Sequence, residues 1–372
     1  MTNRKSKPTR RVRLRTRGMI VLCILVLAVA GLIFGGIKLF SSCSLSTAKR
    51  ALPFSAGDNF VYTGGGFLFE RDMKLLYHDL ADENKSFTVE LEEGGAGIAG
   101  TDKIKVVYSA TSLQVVGTPY EHTFEGIIRK IVCGGKYVGA YIENADSTHS
   151  LAVYNSAGDR RHIAELGSTV LLDFGFEGGD SSAMYTSELV TTGTAVSTTV
   201  TTLDLARESI TGVMSIQGEL VKNVVLTSKS VFVFGTDSLI RFDRTGNTEA
   251  YRLLMRGYDC IDFSSSDGRL MFLLSRSGSE NAPLRVLSVK EGSSAEDSIL
   301  ELASSSGAAA CFLMRGKVVS IEDSTVVIRS MKGEIAASIP LGQNVASASK
   351  LDESNILLIE DGNPVLFTLK NF

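Results

Sequence analysis

One pattern recurs in LAVYNSAG (151–158), LIRFDRTG (239–246) and VVIRSMKG (326–333): an apolar strand with a glycine seven residues after its start. Five weaker copies are LLYHDLAD (75–82), LQVVGTPY (113–120), VTTLDLAR (200–207), LRVLSVKEG (284–292) and VLFTLKNF (365–372). The eight starts are 38, 38, 49, 39, 45, 42 and 39 residues apart. A period of about 40–45 residues is typical of the blades of a β-propeller.

One period also contains the strands that a blade requires. Residues 127–166 hold four apolar segments, which are IIRKIV, KYVGAYI, SLAVY and RRHIAEL. The separators CGG, ENADSTH and NSAGD are rich in residues that turns require. Four strands per repeat make one propeller blade.

The strands between these turns are apolar at successive positions, as in VFVF (231–234), LMFLL (270–274) and NILLI (355–359). Because side chains alternate between the two faces of a strand, such runs indicate sheets covered on both faces. Blades packed face to face meet this requirement. The sequence therefore predicts an all-β fold, a propeller of eight four-stranded blades, or of seven if one weak copy is an insertion.

The last repeat is incomplete, since the chain sequence ends at Phe372, directly after the third strand of the eighth unit. A sheet edge left open in this way is a liability. We expect the segment 45–54 to supply the missing strand, so that N-terminal and C-terminal strands share one blade. The predicted propeller domain is 55–372, preceded by a serine-rich stalk and ring-closing strand at 41–54.

The N-terminal segment predicts a membrane anchor. Residues 18–37 (GMIVLCILVLAVAGLIFGGI) carry no charge, and at about 1.5 Å per residue they match a hydrocarbon core of about 30 Å. Eight basic residues lie within 1–17, and positive flanks stay in the cytoplasm. We expect a basic cytoplasmic tail at 1–17, a single transmembrane helix at 18–40 in the lipid bilayer of the plasma membrane, and an extracytoplasmic remainder.

Two alternative interpretations of the N-terminal segment would also place the rest of the chain outside the cytoplasm. Small residues precede Cys43 in LFSSC (39–43), as in a lipoprotein signal, which makes Cys43 a candidate for lipidation. Ordinary cleavage after a small residue such as Ala48 is the other. The anchor is favoured because the apolar run exceeds the roughly 7–15 residues of a signal-peptide core.

Charge is divided unequally along the chain. The formal net charge is −3, but residues 1–40 hold nine basic and no acidic residues, which leaves −12 on residues 41–372. Because phosphate backbones are bound mainly by clustered basic groups, nucleic acid is not an expected partner.

This layout resembles the extracytoplasmic β-propellers that bacteria tether by one N-terminal helix, a family largely without an assigned function. The resemblance covers the anchor and the whole repeat region. The chain has no tryptophan, so it lacks the Trp-Asp dipeptide of WD40 blades and the tryptophan docking motif of quinoprotein blades.

No short motif predicts an enzyme or a cofactor. The four histidines, His78, His122, His149 and His162, lack metal-site spacing, and we expect them in turns or facing solvent. Cys133, Cys260 and Cys311 occupy equivalent places in or just after first strands and should pack as small apolar residues.

Three first-strand carboxylates are the candidate ligand-binding residues at the channel mouth: Asp173, Asp259 and Asp262. Simple exposure to solvent would explain them equally well. The Ser/Thr-rich tract 181–202 is either a long hairpin of β-branched residues or a loop that projects as a contact surface.

The predicted function is a non-enzymatic scaffold that binds an envelope protein, a glycan or another ligand. The alternative is an extracytoplasmic hydrolase or lyase that acts on envelope polymers, with its catalytic groups drawn from several blades at the channel mouth. A pocket of clustered catalytic side chains would favour the enzyme, whereas a plugged channel would favour the scaffold.

Overall fold

Eight four-stranded sheets follow one another along the chain. The structure is a computed structural model that describes residues 45–91, 95–167, 169–179, 181–192, 195–255, 257–266, 268–276, 283–290, 298–302, 308–322 and 324–372. The sheets are the blades of an eight-bladed β-propeller, which confirms the predicted fold. The seven-bladed alternative is wrong.

The blades are numbered here in chain order. Blade 1 contains β2 (Phe60–Tyr62), β3 (Gly66–Arg71), β4 (Lys74–Asp79) and β5 (Phe87–Glu90), with a 3₁₀ turn at Glu83–Lys85. Blade 2 contains β6 (Gly97–Gly100), β7 (Lys105–Tyr108), β8 (Ser112–Val115) and β9 (Glu121–Thr123). Blade 3 contains β10 (Ile127–Gly134), β11 (Tyr137–Glu143), β12 (His149–Asn155) and β13 (Arg160–Gly167). Blade 4 contains β14 (Val170–Phe176), β15 (Ala183–Thr192), β16 (Ala195–Asp204) and β17 (Ser209–Gln217).

Blade 5 contains β18 (Val221–Leu226), β19 (Ser230–Gly235), β20 (Ser238–Asp243) and β21 (Glu249–Leu254). Blade 6 contains β22 (Tyr258–Ser266), β23 (Arg269–Arg276), β24 (Leu284–Lys290) and β25 (Ser298–Leu302). Blade 7 contains β26 (Ala308–Met314), β27 (Lys317–Glu322), β28 (Thr325–Arg329) and β29 (Ile335–Pro340). Blade 8 contains β30 (Val345–Lys350), β31 (Asn355–Glu360), β32 (Asn363–Lys370) and β1 (Ser46–Ala51).

The eight repeat copies are the eight third strands. In blades 1 to 7 the strands pair in chain order, and the copies coincide with β4, β8, β12, β16, β20, β24 and β28. The eighth copy is β32. The glycine that ends the clearest copies has a positive φ, as in Gly158 (84°), Gly246 (74°) and Gly333 (83°). That conformation favours glycine and explains why this residue marks the repeat.

Alternate residues of one strand pack against two different blades. On β19, Val231 and Val233 pack with Met214 of blade 4, whereas Phe232 and Phe234 pack with Phe272 of blade 6. All six of these residues are buried. This two-sided packing accounts for the unbroken apolar runs of the sequence.

The eighth blade receives its fourth strand from the N-terminal side, because its strand order is β1-β32-β31-β30. Leu52 donates its backbone N–H to the carbonyl of Pro364 (3.1 Å). Leu52 and Phe54 then share one apolar cluster with residues of blades 1 and 8, which are Phe67, Phe69, Leu357 and Leu366. The predicted closure by the segment 45–54 is thus observed.

Two basic side chains of β1 also bind the rest of blade 8 and the adjacent blade 1. Lys49 Nζ lies 2.5 Å from Glu360 Oε1 and donates to the Leu341 carbonyl (2.7 Å). Arg50 donates to the Leu80 carbonyl of blade 1 (2.7 Å) and lies 3.0 Å from His78 Nε2. Lys49 therefore joins β1 to blade 8, and Arg50 joins it to blade 1.

Residues Lys49–Thr368 form one compact unit, and the second unit is described only at 45–48 and 369–372. The predicted cytoplasmic tail, the predicted transmembrane helix and Cys43 lie outside the described residues. Among the residues that the structure does describe, no helix has the length and apolar character to cross a membrane.

Candidate functional site

The first strands of neighbouring blades contact one another, as expected for the strands that surround a propeller axis. Such contacts join β2 to β6, β6 to β10, β10 to β14, β14 to β18, β22 to β26 and β26 to β30. The three predicted carboxylates all lie on first strands. Asp173 is on β14, and Asp259 and Asp262 are on β22.

Asp173 accepts hydrogen bonds on both carboxylate oxygens. Lys130 Nζ of β10 lies 2.6 Å from Oδ1, and the Tyr185 hydroxyl donates to Oδ2 at 2.7 Å. The ring of Tyr185 crosses Gly175, where an added Cβ would lie 2.9 Å from the ring. Burial, reinforced by the carboxylate, raises the pKa of Tyr185. Asp173 is therefore held by a cation and a phenol that stays protonated, which leaves it poorly suited to act as a free base.

Asp259 forms a more exposed ion pair. Lys222 Nζ of β18 lies 2.5 Å from Asp259 Oδ1, and both side chains are roughly one-third exposed or more. This pair joins the first strands of blades 5 and 6. Screening by solvent limits its contribution to stability to about 0–1 kcal/mol.

Asp262 connects the first strands of three consecutive blades. It follows an irregularity in the pairing of β22 with β23, between Cys260 and Asp262. Its carboxylate accepts from the backbone N–H of Leu313 on β26 (2.7 Å) and from Lys350 Nζ of β30 (3.1 and 3.3 Å). Lys350 also donates to the Phe263 carbonyl (2.9 Å). Blades 6, 7 and 8 are joined at this point.

Glu353 reinforces the same three blades at the turn between β30 and β31. One of its oxygens accepts from the Ser264 hydroxyl (2.8 Å) and from the Arg315 backbone N–H (2.5 Å). Its other oxygen lies 3.3 Å from Lys350 Nζ. The charged groups of this part of the channel therefore bind one another.

Replacing Asp262 by asparagine tests the structural role of this network. The amide nitrogen would oppose either the Leu313 N–H or the Lys350 ammonium, so we expect a loss of about 1–3 kcal/mol in the free energy of unfolding. Asp259→Asn is the matched control on the same strand and should cost at most about 1 kcal/mol. Denaturant unfolding of the two variants measures the difference, and equal costs would contradict the assignment.

A cavity of about 650 Å³ opens beside Asp173, between the first strands of blades 3 to 6. Its wall is mixed, with Val132, Phe174 and Phe263 among the apolar residues and Asn223 and Thr227 among the polar ones. A second depression of about 560 Å³ adjoins it at the turns of blades 2, 3 and 4. These volumes would admit a small ligand.

The cysteines lie where the sequence placed them. Cys133, Cys260 and Cys311 are on the first strands β10, β22 and β26, and all three are free thiols. Burial raises the pKa of each thiol to about 12. Because the thiolate is the reactive form, these residues are packing groups rather than nucleophiles.

The histidines do not lie in turns, and none of the four is fully exposed. All four lie on strands and are partly buried. His122 stacks on Tyr154 (4.0 Å between centroids) and bonds the Gly158 carbonyl, whereas His149 stacks on Tyr141. In both places the flat imidazole ring stacks as an aromatic ring does. The spacing of the histidines in the sequence does not reveal this role. Within the described ranges, no His, Cys, Asp and Glu side chains cluster as metal ligands.

The Ser/Thr-rich tract forms the hairpin β15–β16, whose strands are ten residues each. Pairing with β14 ends at Leu189, and pairing with β17 ends at Ser197. The pairs Thr191–Val196 and Thr192–Ala195 lie beyond the pairing with β14 and β17, although the Val196 carbonyl still accepts from the Gly218 backbone N–H (2.8 Å). The tract is therefore a long hairpin, as the first interpretation has it, and it extends beyond the flanking strands by two residue pairs.

Exposed aliphatic side chains lie on both faces of this end of the hairpin, with Val170 and Val196 on one face and Val190 on the other. Val190 and Val196 are 36% and 39% exposed, and Val170, which pairs with Leu189, is 46% exposed. Leu220 is 41% exposed, and its neighbours Glu219 and Val221 both bond Thr198 of the hairpin. We call these four residues, Val170, Val190, Val196 and Leu220, the hairpin surface. The sequence shows the uncharged run 189–197, but it does not show that Val170 pairs with Leu189 or that the neighbours of Leu220 bond Thr198.

Comparison with solved structures agrees with the fold. The Dos1 propeller matches with a TM-score of 0.55 and 9% identity over 88% of this chain and 96% of its own. The WD40 domain of SCAP from fission yeast matches with a TM-score of 0.54 and 9% identity over 88% of this chain and 95% of its own. The computationally designed protein Ika8 matches with a TM-score of 0.50 and 12% identity over 86% of this chain and 98% of its own. No family model and no curated protein matches the sequence. At these identities the likeness concerns the fold alone.

Proposed function

We propose that the protein is a membrane-tethered β-propeller that binds a partner protein at the outer side of the cell membrane through the hairpin surface. The observation that carries this proposal is the projecting hairpin with its four exposed aliphatic side chains. The segment 189–197 is uncharged, although residues 41–372 carry a net charge of −12. Cores of protein interfaces are depleted in charged residues in the same way.

The ion pairs and hydrogen bonds that the first-strand carboxylates form with other side chains and backbone groups favour a scaffold over a hydrolase. A hydrolytic site needs a carboxylate or histidine that can take a proton from water or from a hydroxyl group. Asp173 and Asp262 each hold a lysine and a further hydrogen-bond donor, so both carboxylates already neutralise charges of the fold. The cavity beside Asp173 therefore suits ligand binding better than proton transfer.

The tether and the location are proposed from the sequence. The uncharged run 18–37 is long enough to span a bilayer, and the basic residues before it favour a cytoplasmic N-terminus. This arrangement is that of the tethered bacterial propellers that the chain resembles. A lipid anchor on Cys43 would place the propeller on the same side.

Crosslinking on intact cells tests the surface and the location together. Cells that express the full chain are treated with a membrane-impermeant amine crosslinker, and proteins joined to the chain are identified by mass spectrometry. We expect one partner to be recovered reproducibly, and recovery to fall about tenfold in the double variant Val190→Asp/Val196→Asp, because a desolvated charge at an interface core costs more than 1.4 kcal/mol.

Ile335→Asp is the matched control, because Ile335 is 63% exposed on the outer strand of blade 7. It should leave recovery unchanged. Equal recovery with the Val190/Val196 double variant would contradict the hairpin surface. Recovery only with a membrane-permeant crosslinker would contradict the location.

A further inference from the structure

A separate groove of about 300 Å³ lies between blades 1 and 2. Phe87 and Val89 of β5 line one wall, and because they are two residues apart they share one face of the strand. Ile104 and Val115 of blade 2 are buried beneath the groove. Lys105 of β7 also lines it.

Lys105 places a positive charge against this apolar lining. Its Nζ lies 4.1 Å from the ring centroid of Tyr77, and that ring stacks on Phe87 at 5.3 Å. Among the described residues, no carboxylate forms an ion pair with Lys105 within 4.0 Å. Burial lowers the pKa of Lys105, so its ammonium has lost part of its hydration. A carboxylate from outside the chain would compensate for that loss.

The neighbouring carboxylate Asp79 is already engaged. Its Oδ1 accepts the backbone N–H groups of Ala81 and Asp82, both at 2.9 Å, and these bonds lower its pKa. Asp79 is therefore committed to the turn after β4. Asp102 and Asp79 both favour the charged form of Lys105, but neither carboxylate forms an ion pair with it, so Lys105 can still pair with a carboxylate from a partner.

The edge of the sheet beside the groove is open. β5 is the outermost strand of blade 1, so one row of its backbone N–H and C=O groups has no partner in the sheet. Extended peptides bind to such edges by adding a strand, while alternate side chains enter adjacent pockets. The volume of the groove is at the lower end of ligand pockets, which suits a single large side chain.

We propose that this groove binds an extended segment of a partner protein in which a large apolar side chain adjoins an aspartate or glutamate. The apolar side chain would fill the space between Val89 and Val115, and the carboxylate would pair with Lys105. The groove belongs to blades 1 and 2, whereas the hairpin surface belongs to blades 4 and 5. The inference therefore adds a second binding site and does not depend on the first.

A random peptide display library panned on the purified full chain in detergent tests the proposal. We expect the enriched peptides to share an aromatic or aliphatic residue next to Asp or Glu. Their affinity, measured by fluorescence polarisation, should fall about tenfold or more with Lys105→Met, which keeps the length of the side chain and removes its charge. Val89→Asp, at a site 41% exposed, should weaken binding as well, because its carboxylate would occupy Lys105.

Lys136→Met is the matched control, since Lys136 also lies over a tyrosine ring, 5.7 Å from the centroid of Tyr137 on blade 3. It should leave the affinity unchanged. The proposal is overturned if no peptide is enriched, if the enriched peptides lack acidic residues, or if they bind the Lys105→Met and Val89→Asp variants as tightly as the original chain. The Val190→Asp/Val196→Asp variant should bind these peptides normally, so failure at one surface is distinguishable from failure at the other.

Discussion

Phe54→Ala is expected to lower the free energy of unfolding by about 3–5 kcal/mol, the range for large aromatic residues removed from a core. Phe54 is 4% exposed and lies just after the ring-closing strand β1. Its ring centroid is 4.6 Å from that of Phe60, 5.1 Å from that of Phe67 and 5.3 Å from that of Phe69. It also belongs to the cluster that includes Leu357 and Leu366 of blade 8. The substitution therefore leaves a cavity where the first and last blades meet.

Guanidinium unfolding followed by far-UV circular dichroism measures this loss, because the chain has no tryptophan to report by fluorescence. Phe263→Ala is the matched control, since Phe263 is 45% exposed in the channel. It should cost at most about 1 kcal/mol. A similar small cost for Phe54→Ala would show that the junction of blades 1 and 8 contributes little to the stability of the ring.

The fold could be predicted because each blade repeats the same local requirements. A third strand that is buried on both faces must be apolar, and the turn after it often needs a positive φ, as at Gly158 and Gly246. These two requirements recur at the blade period and are visible without any knowledge of long-range contacts. The missing fourth strand of the last repeat then identifies β1 as its replacement.

The partners of the channel carboxylates could not be predicted in the same way, because they lie on other blades. Lys130 is 43 residues from Asp173, and Lys222 is 37 residues from Asp259. These separations are close to one repeat, so a lysine on one first strand and an aspartate on the next are a detectable signal. Lys350 is 88 residues from Asp262, about two repeats, and only the structure shows that it reaches past blade 7.

The Ser/Thr-rich tract shows a different limit. Its β-branched threonines favour extended strands, and β15 and β16 are indeed strands. How far the paired ends of β15 and β16 extend beyond the sheet depends on where β14 and β17 stop pairing, and that register is set by the neighbouring strands. Exposure of Val190 and Val196 is thus a property of the whole blade.

Lys49→Met is expected to lower the free energy of unfolding by about 3 kcal/mol, near the lower end of the range for breaking a buried ion pair. Its partner Glu360 is only 4% exposed, so the variant would leave a carboxylate in the interior without its cation. The Lys49 side chain itself is 34% exposed, and solvent can reach part of the site, which places the cost at that lower end. The bond from Lys49 to the Leu341 carbonyl would be lost as well.

A double-mutant cycle separates the ion pair from the loss of the lysine side chain. Glu360→Gln in the Lys49→Met background should recover part of the stability, because the neutral amide needs no cation. Lys74→Met is the matched control: the Lys74–Glu90 pair is 46% and 74% exposed, so its loss should cost at most about 1 kcal/mol. If Lys49→Met costs no more than Lys74→Met, the salt bridge does not help to hold β1 in blade 8, and closure of the ring rests on Arg50, Leu52, Phe54 and the backbone bonds.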